Sequence, residues 1–385
     1  MAARDLDAEP SLTQIGREWG RIGCVGFGGP PAHVVLLREL CVQRHPWLSS
    51  VQFERAIAAT NLLPGPASTQ LAIYCAWRLR GTRGALLGGL CFVLPGLLAI
   101  LALAAAFLSG SPPAWLRGAG AGASAVVPAV AVLAGIGIAR PIWVSATGLR
   151  RGRVLGYALA GGAAAALTGP WLVLVLIGCG AAELLAGRLA RAPLGVQAWW
   201  LAAAVPAVGG TLALAWTALK VGALAFGGGF VIVPLMQADA VSTYHWMSHA
   251  QFLDAVVLGQ VTPGPVTHTV TAVGYAAGGI GGALLASLVA FAPSFCFVLI
   301  GAPRFERLLA SERVLAFLAG AAPCAAGAIL GATVPLTSAL GEAWQYPLLV
   351  AAAGALLLRR GVVPTLLAAG LLGAVAGLLG APIAH

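Results

Sequence analysis

Leu63-Pro64-Gly65-Pro66-Ala67-Ser68-Thr69 has a second copy 199 positions later, Thr262-Pro263-Gly264-Pro265-Val266-Thr267-His268. Each copy interrupts apolar sequence with two prolines around a glycine, which stops one helix, and follows with hydroxyl side chains suited to starting the next. In water such a break is an ordinary loop. In a bilayer it exposes backbone amides and carbonyls that lipid cannot satisfy, so it survives only against protein or a wet cavity. The rest of the chain reads as scaffold for this pair.

Composition places the pair in a membrane. Of 385 residues, 59% are hydrophobic and 9% charged, and the mean hydropathy is +0.92; soluble domains carry roughly 25% charged residues. The 52 glycines and the alanine tracts suit helices that approach closely through small residues. The net charge of +10 comes from arginines in short loops between apolar runs, an orientation signal rather than a nucleic-acid stripe. Met1 to Pro10 is polar and partly acidic, unlike a cleavable signal peptide. Seven scattered cysteines without a C-x-x-C pair read as buried small hydrophobes, and neither a disulfide framework nor a metal site nor a cofactor is expected.

In order, the pattern predicts helices over residues 11–26, 32–43 and 51–62 and from the Pro64-Gly65-Pro66 break to Trp77, each too short for the roughly 20 residues of a crossing. They read as broken or re-entrant hairpins. Longer spans follow over 84–108, kinked at Pro95, and 115–139, with Pro128 inside, then shorter ones over 154–168 and 171–186.

The second half repeats this order. At an offset of 199, Gly23 matches Gly222, Phe27-Gly28-Gly29 matches Phe226-Gly227-Gly228, Trp47 matches Trp246, and Gln52-Phe53 matches Gln251-Phe252. After one deletion, Gly84 matches Gly282 and Pro95 matches Pro293. The chain therefore reads as an internal duplication: a first repeat over 1–191, a linker over 192–210 rich in proline and glycine, and a second repeat over 211–385. Matched loops alternate oppositely in arginine. Arg78, Arg80 and Arg83 face the uncharged loop 278–282; the loop with Arg117 faces Arg304, Arg307 and Arg313; Arg140, Arg150, Arg151 and Arg153 face 336–346, which has no basic residue; and 169–170 faces Arg359 and Arg360. By the positive-inside rule the halves are expected upside down relative to each other. The expected fold is an all-α polytopic integral membrane protein of two inverted-topology repeats with broken or re-entrant helices, the architecture of secondary transporters.

A helix that starts after Pro66 or Pro265 carries partial positive charge on amides without intrahelical partners, and aimed at a cavity it suits an anion. Ser68, Thr69 and Gln70 in one copy, and Thr267, His268 and Thr269 in the other, add neutral donors. The alternative is a plain kink whose hydroxyls bond back to the preceding turn. Phe27-Gly28-Gly29 and Phe226-Gly227-Gly228 either contribute amides to the site or only let helices cross. His33, His268, Glu54 and Asp254 are the candidates for carrying a coupled proton, set against structural histidines and interfacial charges. Glu183 and Lys220 read as helix-end side chains that snorkel. His245 and His249 have i, i+4 spacing but no third ligand nearby, and Gly118-Ala119-Gly120-Ala121-Gly122 reads as packing. No phosphate-binding loop and no nucleophile elbow is present, which argues against ATP-driven transport and hydrolase chemistry within this chain.

Phe27-Gly28-Gly29-Pro30-Pro31-Ala32-His33, Trp47-Leu48-Ser49, Leu63-Pro64-Gly65-Pro66 with Ser68-Thr69-Gln70, Phe92-Val93-Leu94-Pro95, Phe226-Gly227-Gly228-Gly229, Gln251-Phe252-Leu253-Asp254-Ala255, Gly259-Gln260-Val261-Thr262-Pro263-Gly264-Pro265 and Gly274-Tyr275 together resemble the two signature regions of the chromate ion transporter family, in its long two-domain form. The resemblance spans nearly the whole chain. It implies a multi-pass protein of the bacterial inner membrane that exports chromate, or a related oxyanion such as sulfate, by a proton-coupled antiport that confers chromate resistance. The implied partners are that oxyanion and the lipid bilayer, with no nucleic acid and with a homodimer left open. Three departures stand near the expected site, one of them His268, where the family less often has a histidine. Ala67 replaces the family's usual asparagine, and the stretch from Gln237 to Tyr244 lacks the basic residue usual beside its acid, Asp239.

Overall fold

The computed structural model describes residues 10–63, 65–108, 112–167, 172–186, 209–225, 230–304 and 311–383. These are helical, with no strand among them. The first repeat contributes α1 (Leu12–Val25), α2 (Pro30–Arg38), α3 (Ser50–Leu62), α4 (Ala67–Phe107), α5 (Ala114–Ser124), α6 (Val127–Ser145), α7 (Leu149–Leu167) and α8 (Leu172–Ala186). The second contributes α9 (Thr211–Leu224), α10 (Ile232–Gln237), α11 (His249–Val261), α12 (Thr269–Gly301), α13 (Glu312–Ser338), α14 (Gln345–Leu357) and α15 (Val362–Leu378). Four stretches are long and apolar enough to cross a bilayer: Ala67–Phe107, Ala114–Ser145, Val266–Gly301 and Glu312–Ser338. Most of the expected linker, 192–208, lies outside the described residues.

Several sequence matches now have a local cause. Ser49 caps α3 through a reciprocal box: its hydroxyl accepts from the Gln52 amide at 3.2 Å, while Gln52 Oε1 accepts from the Ser49 amide at 2.9 Å. Ser248 and Gln251 repeat this at α11 with the same distances. A glutamine three residues after the cap satisfies amides that the first turn leaves open. At ~1.5 Å per residue, α3 and α11 span about 20 Å, short of the ~30 Å hydrocarbon core.

The long helices α4 and α12 are each two segments. In α4 the chain breaks at Arg80 and Gly81, with Gly81 at φ +55°, and in α12 it breaks at Gly278 and Gly279, with Gly279 at φ +60°. The segments then cross closely: Gly84 has no room for a Cβ against the Ala76 carbonyl, and a Cβ on Gly274 would stand 2.5 Å from the Gly282 carbonyl. The short helix expected to end near Trp77 is therefore a separate arm that runs to the break at Arg80 and Gly81, followed by a second segment of the same apolar stretch. On that segment Leu86, Leu90, Leu94 and Leu98 form an exposed stripe, and Leu284 and Leu288 do the same on α12, as lipid-facing helices require.

The expected span over 115–139 lies within the apolar stretch Ala114–Ser145, which is interrupted between α5 and α6 at Ala125 and Val126, both still at right-handed helical angles, and α6 continues through Pro141 to Ser145. Its counterpart α13 runs unbroken past Pro323. The helix expected from Val154 begins earlier, at Leu149, and so takes Arg150, Arg151 and Arg153 into its first turns. The expected second helix, to Gln43, stops at Arg38 and gives way to a turn of π-helix over Glu39–Arg44.

The two repeats interlock. α13 packs along α7 and α8 of the first repeat, while α5 packs along α15 and α6 meets α14 of the second. Glycine makes this possible, since a Cβ on Gly161, Gly327 or Gly331 would collide with the Cys324, Ala158 or Gly162 carbonyl across the α7–α13 seam. Gly118 and Gly122 on α5 meet the Gly373 and Ala369 carbonyls of α15 in the same way, so that part of the glycine pattern is packing, as expected. One large hydrophobic core accordingly draws residues from both repeats, Val127 and Leu176 beside Val256, Val270 and Ile329.

Replacing Gly327 by valine forces the α7–α13 backbones apart and is expected to cost about 2 kcal/mol or more. Gly354→Ala, at a site with nothing within 4 Å, is expected to leave stability unchanged or slightly raised. Thermal unfolding of the two purified variants in detergent, beside the parent, checks the contrast.

Candidate functional site

Both Pro-Gly-Pro breaks turn on a glycine in the left-handed region, Gly65 at φ +117° and Gly264 at φ +93°. An L side chain at either is strained by the backbone alone. Each break lodges against the opposite repeat. The Gly264 amide donates to the Gly26 carbonyl, where α1 ends, at 3.0 Å, and Gly96 on α4 leaves room for the Pro263 carbonyl. A Cβ on Gly65 would stand 3.1 Å from the Gly222 carbonyl on α9 and 3.4 Å from Ser294 Oγ on α12. Gly96 and Ser294 are equivalent positions, each directly after the kinking proline Pro95 or Pro293.

No side chain caps the helix start after Pro66 or the one after Pro265. Ser68, Thr69, Gln70, Thr267, His268 and Thr269 are all buried there. The hydroxyls of Thr69 and Thr267 have no hydrogen-bond partner, and the same holds for Thr271 and Ser294, which sequence reasoning missed. For Ser294 the Pro95–Pro293 match carried the signal, because the residue after each kinking proline faces the other repeat's break. Buried hydroxyls left open cost free energy, so each of the four is a candidate donor to a bound group. Thr269 differs: its hydroxyl donates to the Val266 carbonyl at 2.8 Å, the plain back-bonding alternative. Gln70 Nε2 lies 2.6 Å from the position a Gly65 Cβ would take.

In the first Phe-Gly-Gly break, Gly28 and Gly29 take φ +97° and +73°, and Pro30 opens α2. Phe27 is exposed, and a Cβ on Gly29 would touch Val266 at 3.6 Å, so this break adjoins the second Pro-Gly-Pro segment. Pro64 and the matching Phe226, Gly227 and Gly228 lie outside the described residues. His33 and His268 flank the Gly26–Gly264 contact. His33 Nε2 is 2.9 Å from the Gly26 carbonyl, and its ring meets Phe92 edge-on at 5.0 Å. His268 tilts over Phe291 at 4.9 Å and faces the Val93 carbonyl without reaching hydrogen-bond geometry.

The two candidate carboxylates have different surroundings. Glu54 is exposed and paired with Arg38, whose guanidinium lies over Phe53 at 5.1 Å. Asp254 on α11 accepts from Ser124 Oγ of α5 at 3.0 Å, in a notch left by Gly120, whose Cβ would stand 2.6 Å from Asp254 Oδ1. Asp254 thus joins the hairpin that carries the second break to the first repeat. Among the described residues no group of three or more His, Cys, Asp or Glu is placed to hold a metal ion, and His245 and His249 are no exception.

Lys220 and Glu183 do not snorkel. Lys220 Nζ pairs with Asp239 at 2.5 Å, with side chains 14% and 5% exposed, and Thr217 Oγ1 donates to the same carboxylate at 2.8 Å. The cation missing beside Asp239 in sequence therefore comes from α9. Arg153 grips Glu183 with two bonds of 2.9 and 3.0 Å, joined by Tyr157 Oη at 3.0 Å.

These helices and breaks define a polytopic all-helical membrane protein. The chain belongs to the chromate transporter family, whose model matches residues 13–184 and 212–378. It is 32% identical over 360 residues to the chromate transport protein of Cupriavidus metallidurans, covering 87% of this chain and 85% of that one. It is 31% identical over 350 residues to the chromate transport protein of Pseudomonas aeruginosa, covering 86% and 82%. To the probable chromate transport protein of Synechococcus elongatus it is 32% identical over 347 residues, covering 85% and 84%. No solved structure matches.

Removing one member of a buried ion pair strands the other, at a cost of about 3–5 kcal/mol, whereas replacing both by apolar groups is often neutral. Lys220→Met is therefore expected to unfold at a much lower temperature than the parent, and Lys220→Met with Asp239→Leu to recover most of the loss. Melting curves of the single and double variants decide it.

Proposed function

We propose that this chain is a secondary carrier that exports chromate across the bacterial inner membrane, driven by proton exchange, and so confers chromate resistance. The observation that carries the reading is the pair of uncapped helix starts, each wedged against the other repeat, with the buried and unpartnered hydroxyls of Thr69, Thr267 and Ser294 at the breaks. Helix-start amides and neutral hydroxyls stabilise an oxyanion by hydrogen bonds and partial charge while leaving no fixed cation to trap it. A carrier needs that balance, because a substrate held too tightly is not released. Chromate comes from the names of the relatives; sulfate, also a tetrahedral dianion, is the second reading on the same donors.

The opposite arginine bias of matched loops supports an inverted arrangement of repeats 1–191 and 211–385 around the linker at 192–210, with the site near the midplane. The glycine-packed seams suggest which bodies move. α5 with α15, and α7 and α8 with α13, are locked together across the repeats, so we assign the rocking to the break-carrying hairpins against this frame. Asp254, bonded to Ser124 where α11 meets α5, stands at that joint and is the preferred proton carrier, ahead of His33, His268 and the surface-paired Glu54.

Labelled chromate and sulfate flux into proteoliposomes, with and without a pH gradient, tests the proposal beside Thr69→Ala with Thr267→Ala, and beside Asp254→Asn. The expected result is chromate flux that rises with the gradient, falls at least tenfold in the double variant, and loses its gradient dependence in Asp254→Asn. Sulfate flux without chromate flux would reassign the substrate. No anion flux under any gradient would overturn the carrier reading.

A further inference from the structure

The repeats differ at one place that transport does not require. α7 of the first repeat is seated on α13 by Gly161, Gly327 and Gly331. Its counterpart α14 makes only a slight contact with α6, and Gly354 on α14 has nothing within 4 Å. α14 also packs little against α15, although four residues join them. The two helices therefore enclose a groove of about 300 Å³, lined on one side by Leu348, Ala351 and Ala355 and on the other by Pro364, Ala368 and Leu372. At ~1.5 Å per residue each side runs roughly 10 Å along its helix.

Arg360 stands in the lining of this groove, apolar apart from it and Thr365, at the end nearest the turn. Its position is built by the backbone. Arg359 takes φ +59°, a left-handed residue that closes α14, and the Arg360 amide donates to the Ala355 carbonyl at 3.1 Å. Thr365 Oγ1 donates to the Gly361 carbonyl at 2.7 Å and holds the other side of the turn. Among the described residues neither Arg359 nor Arg360 has an ion-pair partner. A cation at the end of a membrane helix hairpin, beside a largely apolar groove, matches an anionic lipid: phosphate on the guanidinium, acyl chain in the groove.

We infer that the α14–α15 groove is a binding site for an anionic phospholipid, held by Arg360 at its headgroup and by the alanine-lined walls at its tail. The site is independent of the oxyanion pathway. The lipid replaces, on this side, the helix packing that glycine supplies to α7.

Native mass spectrometry of the full chain in detergent, with phosphatidylglycerol or phosphatidylcholine of identical acyl chains, tests it. The expected result is one phosphatidylglycerol retained per chain, a retained fraction at least fivefold lower for phosphatidylcholine, and a similar drop for phosphatidylglycerol in Arg360→Gln. Ala368→Phe, which fills the groove and leaves Arg360 in place, is expected to lower retention as well. Both positions are exposed, so melting temperatures should match the parent and separate lost binding from lost folding. Equal retention of the two lipids, or retention unchanged in both variants, would overturn the assignment. So would a dimer that retains no lipid and dissociates on Ala368→Phe, which would give the groove to a second copy.

Discussion

The hydrogen bond from the Gly264 amide to the Gly26 carbonyl expresses the constraint under which this molecule is built. Broken helix inside a membrane must find its polar partners within the protein. Here one repeat supplies them to the other: the second break is received by the end of α1 and by Gly96, and the first by Gly222 and Ser294. The interlocked packing of α5 with α15 and α7 with α13 follows the same exchange.

Glycine has two separate jobs in this arrangement. At Gly65 and Gly264 it permits a left-handed backbone that turns the chain within a few residues. Along α5, α7, α13 and α15 it removes side chains so that carbonyl backbones come into contact, which substitutes for the hydrophobic driving force that helices lack in lipid. The tightness of those seams makes a rigid frame. At the breaks, by contrast, the hydroxyls of Thr69, Thr267, Thr271 and Ser294 are buried without partners.

The near symmetry also shows where the repeats have diverged. Thr69 corresponds to His268, Gly96 to Ser294, and Arg21 to Lys220. In the first repeat Glu18, Arg21, Glu39 and Arg44 form an open network, with pairs at 3.0 to 4.0 Å and largely exposed arginines, whereas Lys220 and Asp239 form a single buried pair. A buried pair is costly to break and weakly stabilising overall, so it fixes the position of α9 against the turn after α10 more than it adds to stability.

Much of this was legible in the residues. Apolar composition, the 199-residue offset and the proline and glycine positions determined an all-helical membrane chain with two matched breaks, because helix termination and bilayer burial are local or compositional effects. Spacing likewise marked Ser68, Thr69, Gln70, Thr267 and His268 as residues at the breaks. Only the tertiary structure decided that each break docks on the opposite repeat, that Ser294 and Thr271 join the lining while the Thr269 hydroxyl is consumed by Val266, and that Lys220 and Asp254 find Asp239 and Ser124. Those outcomes rest on contacts between residues as much as 238 positions apart, Gly26 and Gly264, and no local pattern encodes which carbonyl a missing Cβ will admit.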